Sequence, residues 1–323
     1  MCSEAHSLKS EPAARALKTG LVLIAILLIS LLSATVISAW LYTRMEGADS
    51  VFGHWVRTEP NRFMRRLMSL IALAGVPFLL KAGGWRGWRD CGVVDDGHAW
   101  EPARAFRDFF EGLFIGLFSL TALVVVSYTF GLRSWSDHES SGVIVLGLGL
   151  VVLRALLIGV SEEIVARGVL FRVFARAWTL WPAIFVSSAL FAYLHFFKAS
   201  PDAFSDHVSL TSVFDIIGSA FRNVGLTEQV EIRFINLTLM SMVLCMMVAH
   251  TGTIWLAAGT HAGWVCIKLS NRMLTRDTSG EWDSLWIGHR SDATDGLLTS
   301  CLLLFLLVIW WRLTRLRNSG IDA

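Results

Sequence analysis

The feature that most constrains this chain is a series of eight apolar runs, each close to the length that crosses a membrane. A hydrocarbon core about 30 Å thick requires roughly 20 apolar residues in a helix. Because lipid offers no partners to backbone polar groups, open sheets and irregular loops are excluded there. The sequence therefore predicts an all-α, polytopic transmembrane helical bundle with about eight spans. The runs cover 17–42, 64–80, 109–132, 143–160, 181–197, 234–249, 252–269 and 297–311.

Charge and cysteine content exclude several classes of function. The formal net charge is only +2, and no basic stripe alternates with exposed aromatic residues, so we expect no nucleic-acid partner. The five cysteines form no CxxC pair, which argues against a disulfide framework or a thiolate zinc site. Lys and Arg are about equally frequent in alternate loops and leave the membrane orientation open. The expected partner is the lipid bilayer, whose acidic headgroups suit the flanking arginines.

The chain contains no internal repeat or low-complexity tract, so we expect a single integral membrane domain over 1–323. Within it, the connection 198–232 places Val213, Ile217 and Phe221 on one helical face. This pattern favours an amphipathic helix that lies along the membrane surface. A lid over a cavity is the alternative.

Two adjacent carboxylates, Glu162 and Glu163, interrupt the fourth apolar run, and Arg167 follows. An ionisable side chain at mid-bilayer costs roughly 2.5 to 3.5 kcal/mol on insertion scales, so these three need partners or a wet cavity. Glu163 and Arg167 are spaced i, i+4 with the acid first, which predicts an ion pair on a continuing helix. Glu162 is then the carboxylate left for chemistry.

Two histidines, His195 and His261, lie in other apolar runs. If the fourth and fifth spans form a hairpin that turns near 178–182, Glu162 and His195 lie at equal depth. Each is then on the order of 20 Å from the turn, at about 1.5 Å rise per residue. Phe191 shares a helical face with His195 at i, i+4. These spacings predict that the carboxylate and the imidazoles meet at one centre.

A poorly solvated carboxylate with imidazoles beside it can take a proton from water, while nearby donors stabilise an oxyanion. This chemistry hydrolyses peptides. The structural alternative is that the same polar groups only hold the helices together, through hydrogen bonds and ion pairs. Zinc ligation by Glu162, Glu163, His195 and His261 is also chemically possible, although no HExxH-like pair occurs on one helix.

Three short motifs resemble those of the CPBP family, the CAAX-protease and bacteriocin-processing intramembrane endopeptidases, also called type II CAAX prenyl endopeptidases. Glu162-Glu163-Ile164-Val165-Ala166-Arg167 resembles EExxxR, and Phe191-Ala192-Tyr193-Leu194-His195 resembles FxxxH. Thr260-His261-Ala262-Gly263-Trp264 resembles the start of HxxxN. The three occur in order within a core over 143–270.

The resemblance implies a conical intramembrane cavity formed by the fourth to seventh helices, and a glutamic rather than metal-dependent protease without a cofactor. It implies that Glu162 and His195 activate water and that His261 helps stabilise the oxyanion. Glu163, Arg167 and Phe191 would support the site. The implied substrate is a membrane-associated peptide or protein, and the implied location is a bacterial inner membrane.

The chain departs from the family motif at Val265, where the family has Asn or Asp, because valine offers no side-chain donor. Loss of one oxyanion donor costs roughly 10² to 10³ in rate. Asn236 or Ser241 could supply a substitute. The alternative function is a noncatalytic membrane protein that binds a peptide or assists a partner, and a transporter is a weaker third reading.

Overall fold

The computed structural model describes residues 2–47, 49–85, 87–94, 101–136, 141–205, 209–222, 228–277, 285–286 and 296–318. These residues are almost entirely helical, which confirms the predicted all-α bundle. A π-helix, Ile164–Phe171, joins α5 to α6 without a break. The helices are α1 Cys2–Arg44, α2 Val51–Thr58, α3 Pro60–Ala82, α4 Pro102–Thr129, α5 Ser141–Glu163, α6 Arg172–Ala177, α7 Leu180–Phe196, α8 Leu210–Arg222, α9 Glu228–Thr251, α10 Trp255–Leu274 and α11 Leu297–Asn318.

Within the described residues, six helical segments are long and apolar enough to cross a membrane, and they coincide with six of the predicted runs. The other two runs correspond to α7, a shorter apolar helix of 17 residues, and to α10, of 20 residues. The chain is an integral, multi-pass membrane protein. The six segments are Lys18–Arg44, Pro60–Ala82, Pro102–Thr129, Gly142–Ala177, Glu231–Thr251 and Leu297–Arg317.

Burial is distributed as expected for helices that face lipid. Large apolar side chains such as Phe78, Phe118 and Val145 stand exposed on the outer surface. Only 17% of the residues in the most apolar stretch of α4 are buried, against 67% in α9. A continuous apolar surface of this kind is stable only against lipid or another protein. Helix α9 is therefore the most enclosed of the spans.

The chain divides into two compact units, Met1–Gly87 with Tyr193–Leu226, and Trp88–Ala192 with Thr227–Ala323. The boundary falls inside α7, after Ala192. In the first unit, α1, α3 and α8 enclose a small core around Ala34, Met64 and Ile216. The single domain over 1–323 and the catalytic core over 143–270 stay predictions.

Helix α8 lies in the predicted interfacial segment 198–232, of which 206–208 and 223–227 are outside the described residues. In α8, Val213 is buried and Phe221 is exposed, and the placement of this segment along the membrane surface stays a prediction. Ser219 is also buried, and its hydroxyl donates to the Ile216 carbonyl at 2.7 Å. A small serine satisfied in this way packs against the core. The large apolar rings are left outside.

In the second unit, glycines allow α10 to approach both α4 and α5. A Cβ at Gly259 would overlap the main chain of α4 at Phe109. A Cβ at Gly159 on α5 would lie 2.7 Å from the amide nitrogen of Ala262. Small residues let membrane helices pack with their backbones close together. Because Ala262 follows His261, this packing brings that histidine to the end of α5.

Two short strands close the same unit. β1, Arg133–Trp135, follows α4, and β2, Thr275–Asp277, follows α10. They pair antiparallel, with Ser134 opposite Arg276. The pairing joins the C-terminal ends of α4 and α10.

Candidate active site

The paired carboxylates stand where α5 changes into the π-helix. Glu162 and Glu163 are the last residues of α5, and Arg167 lies within Ile164–Phe171. The helix therefore continues past Val160 as predicted and ends at Ala177, before the turn into α7. A π-helical turn inside an α-helix is rare and often marks a functional site. Sequence reasoning gave no signal for it.

Glu163 and Arg167 form the predicted ion pair, at 2.6 Å between Oε1 and Nη1, with both side chains fully buried. The Arg167 Nη2 also donates to the carbonyl oxygen of Ser241 at 3.3 Å. The guanidinium lies over the Phe191 ring, 4.6 Å from its centroid. Partners on three helical segments thus compensate the burial of this charge.

His261 contacts both carboxylates. Its Nδ1 lies 2.8 Å from Glu163 Oε1, the same oxygen that accepts from Arg167. Its Nε2 lies 3.8 Å from Glu162 Oε2, longer than a direct hydrogen bond. An ionised carboxylate only accepts hydrogen bonds. With Glu163 ionised beside Arg167, Nδ1 therefore carries a hydrogen and donates a hydrogen bond to Glu163. This leaves Nε2 as the nitrogen directed toward Glu162.

The two adjacent carboxylates have opposite environments. The Glu163 side chain is 0% exposed, whereas that of Glu162 is 38% exposed. Carboxylates in contrasting environments are typical of sites in which one carboxylate takes part in the reaction and the other holds a neighbouring side chain in position. Besides the predicted pair with Arg167, Glu163 also contacts His261, because the close packing of α5 and α10 brings the imidazole to it.

Phe191 packs beside these groups, with its ring edge-on to the His261 imidazole at 6.3 Å between centroids. Phe191 thus contacts both Arg167 and His261, and its supporting role stays a prediction. His195 follows one turn later in α7 and belongs to the first unit. The predicted meeting of His195 with Glu162 stays a prediction, as does the conical cavity.

Val265 lies one helical turn after His261 and is half-buried. Of the proposed substitute donors, Asn236 is engaged elsewhere. Its amide nitrogen donates to the Gly296 carbonyl at 3.0 Å, and its oxygen accepts from Ser300 at 2.6 Å. Ser241 presents its main-chain carbonyl to Arg167. Asn236 therefore joins α9 to the start of α11.

The connection before α4 is partly buried in its described residues. In its described part, Cys91 is fully buried, and burial raises the pKa of this thiol to about 11 despite the nearby Arg172. Arg172 donates to the Gly252 carbonyl at 2.6 Å, and Gly92 accepts from the Ile254 amide at 2.9 Å. These bonds tie the helix that follows the π-turn to the start of α10. The π-helix before α6 carries Arg167, and α10 carries His261.

A groove of about 640 Å³ lies at the turn between α6 and α7. Arg176, Trp178, Thr179 and Pro182 line it, so it is remote along the helices from Glu162. We assign it no part in the chemistry, because it contains none of the carboxylates or imidazoles of the site.

Among the residues that the structure describes, no group of three or more His, Cys, Asp or Glu side chains could hold a metal ion. Glu162, Glu163 and His261 do meet, but Arg167 shares the Glu163 oxygen that faces the histidine. The assignment of a glutamic protease without metal or cofactor stays a prediction.

In comparison with protein families, residues 143–267 match the family described as Type II CAAX prenyl endopeptidase Rce1-like. No curated protein and no solved structure matches the chain. The matched range begins in α5 and ends in α10, so it contains every residue of the candidate site. This region is therefore similar to a family of membrane proteases.

Proposed function

We propose that this Rce1-like chain is an intramembrane endopeptidase of the glutamic type, which cleaves a peptide bond in a membrane-associated protein or peptide. The observation that carries the proposal is the position of His261 between a buried carboxylate and a partly exposed one. This pair lies inside the region that matches the CAAX endopeptidases. The proposed location, from the same resemblance, is a bacterial inner membrane.

The proposed reaction uses Glu162 as general base. Its carboxylate takes a proton from water, and the water oxygen bonds to the carbonyl carbon of the substrate. The electrons of the C=O bond move to oxygen, and the oxyanion accepts a hydrogen bond from His261 Nε2–H, which in this scheme requires an imidazolium with a proton on each nitrogen. The C=O bond then re-forms and the C–N bond breaks, as Glu162 returns its proton to the amine that leaves. His195 is proposed to hold the attacking water with Glu162.

Glu163 has a positioning role in this scheme. Its hydrogen bond from Nδ1 fixes the imidazole of His261, so that Nε2 faces the reacting groups. Arg167 holds the Glu163 carboxylate in turn. A chain of one orienting carboxylate and one imidazole is a common arrangement in hydrolytic sites.

In the test, the full chain in nanodiscs is given fluorescence-quenched peptides that end in CAAX sequences. The peptides are supplied with and without a prenyl group on the cysteine, and their hydrolysis is measured. We expect turnover by the wild type and about a 10²-fold or greater loss in His195→Ala, because a group that orients or deprotonates water is removed. His250→Ala is the matched control, since His250 lies in an apolar helix but packs edge-on against Trp310. Equal turnover in wild type and His195→Ala would contradict the role of His195.

Val265 is the observation that favours the noncatalytic alternative, whereas the family match favours the protease. If the pocket lacks one oxyanion donor, Val265→Asn should raise kcat, by at most about 10²-fold. Val265→Leu is the control, because leucine has the shape of asparagine without its amide. A gain in both variants would assign the effect to packing. An inactive wild type that stays inactive with Asn would support the noncatalytic function.

A further inference from the structure

A basic surface in the first unit has no part in the proposed reaction. Helix α1 ends at Arg44, the short helix α2 follows, and α3 begins at Pro60. Because α1 and α3 are both spans, this connection lies at one membrane face. We call its arginines the arginine corner. They are Arg44, Arg57, Arg62, Arg65 and Arg66.

Three of these arginines lie against aromatic rings. The guanidinium of Arg57 is 4.1 Å from the Tyr42 ring centroid. Arg66 lies 5.1 Å from Trp55, and Arg44 lies 5.9 Å from Trp40. Tyr and Trp rings prefer the headgroup level of a bilayer. Stacking on them holds the guanidinium groups at that level.

Helix α2 adds an apolar shelf beside the charges. Phe52, Trp55 and Phe63 form a cluster of rings with centroids 5.3 to 6.2 Å apart. Val51 and Phe52 are exposed at its edge. A short amphipathic helix between two spans is suited to lie in the interface, with apolar side chains toward the acyl region. Acyl chains and headgroups would thus meet complementary surfaces.

The charge balance favours a ligand with net negative charge. Within 40–66 the five arginines face three acidic residues, of which Glu59 already pairs with Arg62. At the other end of α3, Lys81 is the basic residue of the last turn. Arg binds phosphate through two parallel hydrogen bonds, and clustered basic residues at a membrane surface attract anionic lipid.

We propose that the arginine corner binds the phosphodiester headgroup of an anionic phospholipid, with Arg66 as its principal contact. Arg66 is exposed, whereas Arg62, one helical turn before it on α3, already pairs with Glu59. A zwitterionic lipid carries the same phosphate, but its own ammonium group neutralises it. The corner therefore selects the anionic lipid and does not depend on proteolysis.

The test measures lipids that stay bound to the full chain. The protein is taken from nanodiscs with equal amounts of phosphatidylglycerol and phosphatidylcholine, and native mass spectrometry counts each lipid. We expect enrichment of the anionic lipid by the wild type and an about 3- to 10-fold lower enrichment in Arg66→Gln. The matched control is Arg107→Gln, which removes one arginine already paired with carboxylates on α4 and leaves Arg104 beside Asp108.

Each outcome decides the proposal. Unchanged enrichment in the corner variant overturns it, and so does an equal loss in the control, which would indicate a general effect of net charge. Inorganic phosphate is added in a separate arm. If it displaces the lipid at low concentration, the corner binds free phosphate and the lipid assignment is wrong. Loss confined to the corner variant supports the site.

Discussion

Glu162→Gln is expected to lower kcat for peptide hydrolysis by about 10²- to 10⁴-fold, with a much smaller change in KM, because general-base catalysis contributes on that scale. Glutamine keeps the shape of the side chain but cannot take a proton from water. Glu162 is also the carboxylate that stays partly exposed, whereas its neighbour Glu163 is sealed between Arg167 and His261. The variant should therefore fold normally and fail in chemistry. Quenched-peptide turnover in nanodiscs measures the loss.

Glu111→Gln is the matched control, since Glu111 is an exposed carboxylate on α4 that pairs only with its helical neighbour Arg107 among the described contacts. We expect its kcat to stay within about twofold of the wild type, because exposed ion pairs contribute little. Treatment of the wild type with a chelator separates a glutamic mechanism from a metal-dependent one. Loss of wild-type activity that returns with zinc would overturn the glutamic assignment, and wild-type turnover in Glu162→Gln would remove Glu162 from the reaction.

The order and placement of the spans followed from apolar run length alone. In lipid, the backbone N–H and C=O groups of each run must hydrogen-bond within the run. The run therefore forms a helix whatever its neighbours are. The Glu163–Arg167 pair was predictable for a similar reason, because i, i+4 spacing on a continuous helix is local geometry. The motif positions identified the family without any knowledge of contacts.

The missed features depend on contacts between distant segments. The hydrogen bond of His261 to Glu163 arises because Gly159 lets α10 approach α5, and no local spacing encodes it. The π-helix likewise has no composition of its own. In α8, hydrophobicity alone does not predict that Ser219 is buried, with its hydroxyl bonded to the main chain. Tertiary packing decided each case.

Arg167→Met is expected to destabilise the protein by about 3 to 5 kcal/mol, because it leaves the carboxylate of Glu163 buried without its cation. Methionine keeps much of the apolar volume beside Phe191. Exposed pairs behave differently, so Glu111→Met, which removes a pair between the exposed side chains of Glu111 and Arg107, should cost less than about 1 kcal/mol. Reversible denaturant unfolding in bicelles measures both values.

The double variant Glu163→Gln/Arg167→Met separates a charge effect from a packing effect. Replacing both members of a buried pair by groups without charge is often neutral, so we expect most of the stability to return. The Gln oxygen can still accept from His261 Nδ1, which keeps the imidazole in place. A double variant as unstable as Arg167→Met would show that the arginine contributes through Ser241 and Phe191 instead of through Glu163. Recovery of stability with little recovery of activity would show that the Glu163 charge also serves the reaction.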